Sequence, residues 1–165
     1  MSITDGKLKL IISDFDGVFT DNYVWTDSNG NELVKTSRSD SFSISNFKNF
    51  VNEMKIELDF LILSTETNSV VTSRAQKLGL KAICGVVDKK SEVQKILHER
   101  KLSPDEFIFL GNDLNDYPIF DICENFYCPS DAHPRVKEKA KIIFSRPGGD
   151  GFIREVLEFL MGEAK

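Results

Sequence analysis

At 165 residues, with 41% apolar and 28% charged side chains, the chain has an ordinary globular composition, long enough for one hydrophobic core and too short for two. Twenty-one basic against twenty-six acidic residues leave a net charge of −5 without any basic block, which argues against a nucleic-acid partner, since neutralising phosphates takes a positive surface. A small anionic substrate is still compatible, because a few local cations and a metal can reverse the field inside one cleft. The cysteines Cys84, Cys123 and Cys128 are odd in number and lack paired metal-type spacing, so reduced, structural thiols are expected. Residues 1–9 are polar and no apolar run approaches membrane-spanning length, which predicts one cytoplasmic domain over residues 1–165 without a membrane association.

From Leu8 to Ile12 an apolar run stops at Ser13-Asp14 and predicts a buried strand that delivers polar side chains at its C-terminal end. Two extended stretches around Tyr23–Thr26 and Glu32–Thr36 flank Asp27-Ser28-Asn29-Gly30, the signature of a β-hairpin inserted before the first helix. Ile44, Phe47, Phe50, Val51 and Met54 recur at helical spacing, and Leu58–Leu63 reads as a second strand ending in Ser64-Thr65-Glu66. Val70, Val71, Ala75 and Leu78 mark a helix closed by Gly79, followed by a short strand at Ala82–Cys84. Val93, Ile96 and Leu97 mark the next helix, before a strand at Phe107–Leu110 that ends in Gly111-Asn112-Asp113. A late strand at Ile142–Phe144 and an amphipathic helix from Phe152 to Met161, after the Gly148-Gly149-Asp150-Gly151 loop, complete the chain. Alternating strands and helices predict an α/β fold: a Rossmann-like parallel sheet with helices on both faces, whose ligands sit at the C-terminal strand ends.

The stretch Asp14-Phe15-Asp16-Gly17-Val18-Phe19-Thr20 is the richest in chemistry. Two carboxylates two residues apart at a strand end can share a metal-centred cleft, one attacking phosphorus while the other handles a proton. The nucleophile's own charge repels a phosphate, so a divalent cation and a positive side chain are required nearby. Gly17 lets the backbone turn sharply beside a bound phosphate.

This stretch resembles the first motif of the haloacid dehalogenase superfamily, and the chain is similar to its capless branch of phosphatases acting on 3-deoxy-sugar acid phosphates. Four motifs occur in the family's order from about Lys7 to the C-terminal helix. The resemblance implies that Asp14 is the nucleophile, Asp16 the acid/base, Ser64 the hydroxyl that bonds the transferring phosphoryl group, and Lys89 the cation between Asp14 and phosphate. It implies magnesium held by Asp14, Asp16 and the loop Gly111-Asn112-Asp113-Leu114-Asn115-Asp116, where Asn112 stands in place of the usual Asp and Asp113 is the alternative ligand. An amide oxygen is still a hard ligand, without the charge. Asp116 would then support Lys89 or the shell of metal-bound waters.

Substrate contacts implied by the same resemblance are Gly17, Asp40, Glu66, Arg74, Lys77 and Arg154, the last within the tail Gly148-Gly149-Asp150-Gly151-Phe152-Ile153-Arg154-Glu155. Branch members acting on Kdo 8-phosphate read Thr-Gly-Arg where this chain has Ser64-Thr65-Glu66, and nonulosonate 9-phosphate enzymes read Thr-Gly-Glu. The expected activity is therefore magnesium-dependent hydrolysis of a nonulosonate (sialic-type) 9-phosphate through an aspartyl phosphate, with Kdo 8-phosphate as the alternative substrate. A homotetramer is implied as well, built through the hairpin and with no mobile cap domain. From another class, related domains fused to acylneuraminate cytidylyltransferase act as non-catalytic tetramerisation modules, against which the presence of Asp14, Asp16, Ser64 and Lys89 counts. His98 and His133 stand alone and receive no role.

Overall fold

Strand β1 (Leu10–Ser13) is buried along its whole length and takes parallel partners on both sides, β4 (Asp59–Leu63) and β6 (Phe107–Leu110). The structure, a computed structural model, describes residue 3 and residues 6–163. Beyond β4 lies β5 (Lys81–Ile83), and beyond β6 lie β7 (Phe126–Cys128) and β8 (Ile142–Ile143), giving a six-stranded sheet in the order β5-β4-β1-β6-β7-β8 with every pair parallel. Ser13 pairs with Ile62 on one side and Leu110 on the other. That register brings Asp14, Ser64 and the Gly111 loop out at the same edge of the sheet, the C-terminal one.

Both faces are covered, which is why β1 and β6 read as continuous apolar runs rather than alternating ones. Ile11, Ile108 and Leu110 point into one core with Phe47 and Val51 of α1 (Arg38–Glu53) and Val156 and Leu160 of α5 (Phe152–Met161). Leu10, Ile12, Phe107 and Phe109 point into the other with Val93, Ile96 and Leu97 of α3 (Lys89–Arg100). Helix α2 (Ser69–Leu78) buries Val71 and Ala75 and is closed by Gly79 in the left-handed conformation, as predicted.

The predicted hairpin forms from β2 (Thr20–Thr26) and β3 (Glu32–Thr36), an antiparallel pair outside the main sheet. Asp27 closes its turn by accepting hydrogen bonds from the backbone of Asn29 at 2.8 Å and Asn31 at 2.9 Å. Between β1 and α1 this hairpin is the only insertion, so no cap domain covers the strand ends among the described residues.

Three elements escape the sequence pattern: β7, a 3-10 helix at Tyr117–Asp121, and α4 (Pro134–Lys139). A three-residue strand shows no period, although the aromatic run Phe126-Tyr127 ahead of Pro129 was a usable signal. Helix α4 begins with Pro134 in its first turn and is capped by His133, whose Nδ1 accepts from the Arg135 N–H at 3.2 Å. Helix α2 is capped by Asn68, whose side chain accepts from the Val70 N–H. The cysteines are all free, and burial pushes the Cys123 thiol up to about 12 and the Cys128 thiol up to about 11, consistent with inert packing. No described helix is long and apolar enough to cross a membrane.

Candidate active site

Asp14 leaves β1 with its N–H bonded to the Leu110 carbonyl at 2.8 Å, which fixes its backbone to the neighbouring strand. The residue is only 3% exposed, and Oδ1 accepts two hydrogen bonds, from the Phe15 N–H at 2.7 Å and from Lys89 Nζ at 2.8 Å. Oδ2 is left without a described protein partner. Lys89, the first residue of α3, is buried and its Nζ lies 2.7 Å from Asp116 Oδ1. Asp116 Oδ2 accepts from the Asn112 N–H at 3.0 Å, so one wholly buried carboxylate both braces Lys89 and shapes the loop after β6. Of the two tasks open to Asp116 from the sequence, the structure shows the support of Lys89.

Two buried carboxylates thus share one ammonium. Burial, and then the Asp116 charge, push Asp14 up to about 8 against the pull of Lys89. Burial by itself would lower Lys89, but the charges of Asp14 and Asp116 and their hydrogen bonds outweigh it and hold the ammonium protonated. Asp16 is raised by its partial burial and then by the Glu66 carboxylate, with a 3.4 Å hydrogen bond from the Thr20 hydroxyl opposing. A carboxyl raised in this way can hold the proton that a general acid must give.

Gly17 has φ +73°, and a Cβ there would overlap the Asn112 side chain, so the bare backbone of Gly17 is what lets Asn112 sit where it does. Asn112 is buried, and its Oδ1 has no hydrogen-bond partner. An orphaned buried acceptor is costly unless something positive meets it. Asp14, Asp16, Asn112 and Asp113 all line one cleft of about 420 Å³, a set of hard oxygens that fits a divalent cation. Among the described residues no group of three His, Cys, Asp or Glu side chains has metal-ligand spacing.

Ser64 sits at the end of β4, 1% exposed, beneath the cleft-lining Thr65 and Glu66, and its Oγ accepts the Glu66 N–H at 3.0 Å. Its hydroxyl proton is free of described acceptors. The structure therefore brings together Asp14, Asp16, Gly17, Ser64, Glu66, Lys89, Asn112 and Asp113.

Four residues expected at the substrate lie elsewhere. Asp40 is 2% exposed, and its carboxylate accepts from the Gly151 N–H at 3.3 Å and the Arg154 N–H at 2.9 Å. Gly151, the cap position of α5, has no side chain of its own, so Asp40 on α1 caps α5 across the helix pair. Arg154 points outward and pairs with Glu158 at 2.6 Å. Arg74 donates to the Ser37 carbonyl at 3.3 Å and to the Ser41 hydroxyl, tying α2 to the start of α1. Lys77 shares with it a separate concavity between these helices, lined also by Arg38 and Lys48. Val70 and Val71 are the α2 residues that reach the cleft, and the Arg74 and Lys77 face of the helix turns toward α1.

Sequence reasoning missed the cleft residues supplied by the hairpin, Asn22, Val24, Glu32 and Val34, and also Asn68 at the start of α2. Their period-two spacing along each strand was the available signal, but nothing in it says which face turns inward.

Residues 10–156 match the family model of haloacid dehalogenase-like hydrolases. The 3-deoxy-D-manno-octulosonate 8-phosphate phosphatase KdsC of Yersinia pestis is 26% identical over 156 residues, which cover 94% of this chain and 80% of that protein. A HAD-family protein from Streptomyces avermitilis MA-4680 superposes with a TM-score of 0.87 at 34% identity, over 94% of this chain and 86% of that one. The fold is shared with the 3-deoxy-D-manno-octulosonate 8-phosphate phosphatase of Moraxella catarrhalis, solved with magnesium, phosphate and Kdo, at a TM-score of 0.86 and 20% identity over 98% of this chain and 90% of that one. With the family pattern spanning nearly all of the sheet and the whole of the Asp14 site, the chain belongs to the haloacid dehalogenase-like hydrolases.

Proposed function

We propose that the chain is a divalent-metal-dependent phosphomonoesterase that hydrolyses a phosphorylated 3-deoxy keto-sugar acid through a phosphoryl group carried on Asp14. The observation behind this reading is the buried Asp14–Lys89–Asp116 array, whose Asp14 lines a cleft together with Asp16 and with Asn112 and its orphaned oxygen. Bound by Asp14, Asp16 and Asn112, with Asp113 beside them, a divalent cation supplies the charge that keeps Asp14 ionised next to a phosphate. Magnesium is the ion favoured here, as in the Moraxella relative.

Oδ1 of Asp14 is held by two donors in the metal-free site, and Asp14 attacks phosphorus through one carboxylate oxygen. As it bonds to phosphorus, the P–O bond to the sugar breaks and Asp16 gives its proton to the departing sugar oxygen. Asp16 then takes a proton from water, whose oxygen attacks phosphorus, breaks the bond to Asp14 and releases inorganic phosphate. Lys89 and the Ser64 hydroxyl stabilise charge on the phosphoryl oxygens during both steps.

Kdo 8-phosphate is the leading substrate, supported by the names of the relatives that cover most of the chain. The nonulosonate 9-phosphate is the second reading, supported by Glu66 lining the cleft where the resemblance places an arginine in Kdo 8-phosphate enzymes. A homotetramer is part of the same proposal, supported by the outward face of the hairpin, where Tyr23, Trp25 and Leu33 are 73%, 71% and 68% exposed.

Purified protein assayed on Kdo 8-phosphate, a nonulosonate 9-phosphate and p-nitrophenyl phosphate, with and without magnesium, tests the reading. Metal-dependent phosphate release that Asp14→Asn abolishes is expected, and the ratio of kcat/KM between the two sugar acids assigns the substrate. No turnover of any phosphate ester with magnesium present would favour the non-catalytic tetramerisation module instead.

A further inference from the structure

We propose that Glu32, on strand β3 of the hairpin, reads the hydroxyl-bearing tail of the substrate, and that Asn68 is the positioning residue that holds it there. This rests on the phosphatase reading of the cleft and concerns the part of the substrate away from phosphorus.

Alternate hairpin residues face opposite ways. Asn22 and Val24 on β2 and Glu32 and Val34 on β3 line the cleft, while the alternate residues Tyr23, Trp25 and Leu33 do not line it and are more exposed than Val24 and Val34. The register pairs Val24 with Val34, which places both on one face of the hairpin, and it shifts between Thr20 and Val24, where Asn22 adopts φ 64°. The hairpin is therefore a wall of the cleft, and Glu32 is its only charged group there.

Glu32 is held at one oxygen. Asn68 Nδ2 donates to Glu32 Oε2 at 2.7 Å, while Asn68 Oδ1 accepts from the Val70 N–H at 3.0 Å and caps α2. One amide thus pins the hairpin to the start of α2 and leaves Oε1 of Glu32 as an oriented, charged acceptor. Glu66 adds a second acceptor from the loop after β4.

The cleft is lined by five carboxylates, Asp14, Asp16, Glu32, Glu66 and Asp113, and by no Lys, Arg or His among the described residues. The first two and Asp113 belong to the metal end. What Glu32 and Glu66 offer the rest of the ligand are acceptors, which match hydroxyl donors and repel a carboxylate. A sugar acid would therefore present its hydroxylated chain to the hairpin and direct its carboxylate away from Glu32.

Steady-state kinetics of the magnesium-loaded protein test this on a panel of hydroxylated phosphate esters, including both sugar acids, beside p-nitrophenyl phosphate, which has no hydroxyl. In Glu32→Gln an amide oxygen can keep the Asn68 contact, but the free position becomes a neutral donor. KM for the best hydroxylated substrate should rise about tenfold, the size expected for losing one hydrogen bond to a charged acceptor, with kcat and p-nitrophenyl phosphate turnover unchanged. Asn68→Ser keeps a capping residue on α2 and removes the amide donor, so it should raise the same KM by a smaller factor without lowering the melting temperature. An unchanged KM in Glu32→Gln, an equal loss on p-nitrophenyl phosphate, or a wild type with no lower KM for any hydroxylated ester would overturn the proposal. A wild type that prefers a hydroxylated phosphate other than the sugar acids refutes the substrate class above, and Glu32 is then judged on that ester.

Discussion

Replacing Lys89 with methionine removes the sole ammonium from a buried pair of carboxylates while roughly preserving side-chain length. Lys89 is 1% exposed as a side chain and bonds Asp14 at 2.8 Å and Asp116 at 2.7 Å, so Asp116, wholly buried, cannot turn to water when it is gone, and Asp14 reaches only the cleft. Breaking a buried ion pair from one side costs about 3–5 kcal/mol. For a chain of this size that corresponds to a drop in melting temperature of roughly 6 to 20 °C. The loss should depend on pH in a definite direction. The folded-state value of Asp14, about 8 before metal is added, is already above its ordinary 3.8. A group raised on folding contributes stability that is fully present below 3.8 and disappears as pH rises through the folded value. Without Lys89 the value moves higher still, so Lys89→Met should be most destabilised near pH 8 and approach the parent near pH 4. Thermal unfolding of the metal-free protein and the variant across pH 4–8.5 measures this, and magnesium should recover part of the loss by mass action. A variant within 2 °C of the parent at pH 8, or one with the same deficit at both ends of the range, would refute the shared-ammonium account.

Three further outcomes follow from the geometry. Asp16→Asn should lower kcat on a sugar phosphate by about 10²- to 10⁴-fold and slow p-nitrophenyl phosphate less in its first step, because nitrophenolate departs without a proton; equal losses would remove the acid role. Asn112→Asp should move half-saturation to lower magnesium and enlarge the metal-induced rise in melting temperature, and no change in either would mean that the orphaned oxygen is not a ligand. Asp40→Ala should cost about 1–2 kcal/mol by leaving the Gly151 and Arg154 N–H groups without an acceptor, with KM unaltered; a KM effect without a stability effect would return Asp40 to the substrate.

The sequence by itself determined the parts that depend on local order. Apolar runs that stop at Asp14, Ser64 and Gly111 announce buried parallel strands, because a strand covered on both faces has no polar alternation to hide it. Asp27-Ser28-Asn29-Gly30 announces its hairpin through turn chemistry alone. Ligands gather where such strands end, so the chain order by itself points to Asp14, Ser64 and the Gly111 loop, whereas the resemblance to the haloacid dehalogenase superfamily singled out Lys89 and gave each residue its role.

Tertiary structure decided whatever depends on which faces meet. Arg74 and Lys77 follow Glu66 closely in sequence, yet the packing of α2 on α1 turns them from the cleft and spends Arg74 on Ser37 and Ser41. Asp40 is expected at the substrate by resemblance, but α5 docks on it and offers two N–H groups more than a hundred residues away. Glu32 reads as the start of an ordinary strand until Asn68 and the hairpin's inward face place it in the cleft. Periodicity states that a residue shares a face with its neighbours in sequence, and only the sheet order and the helix pairing state what that face touches.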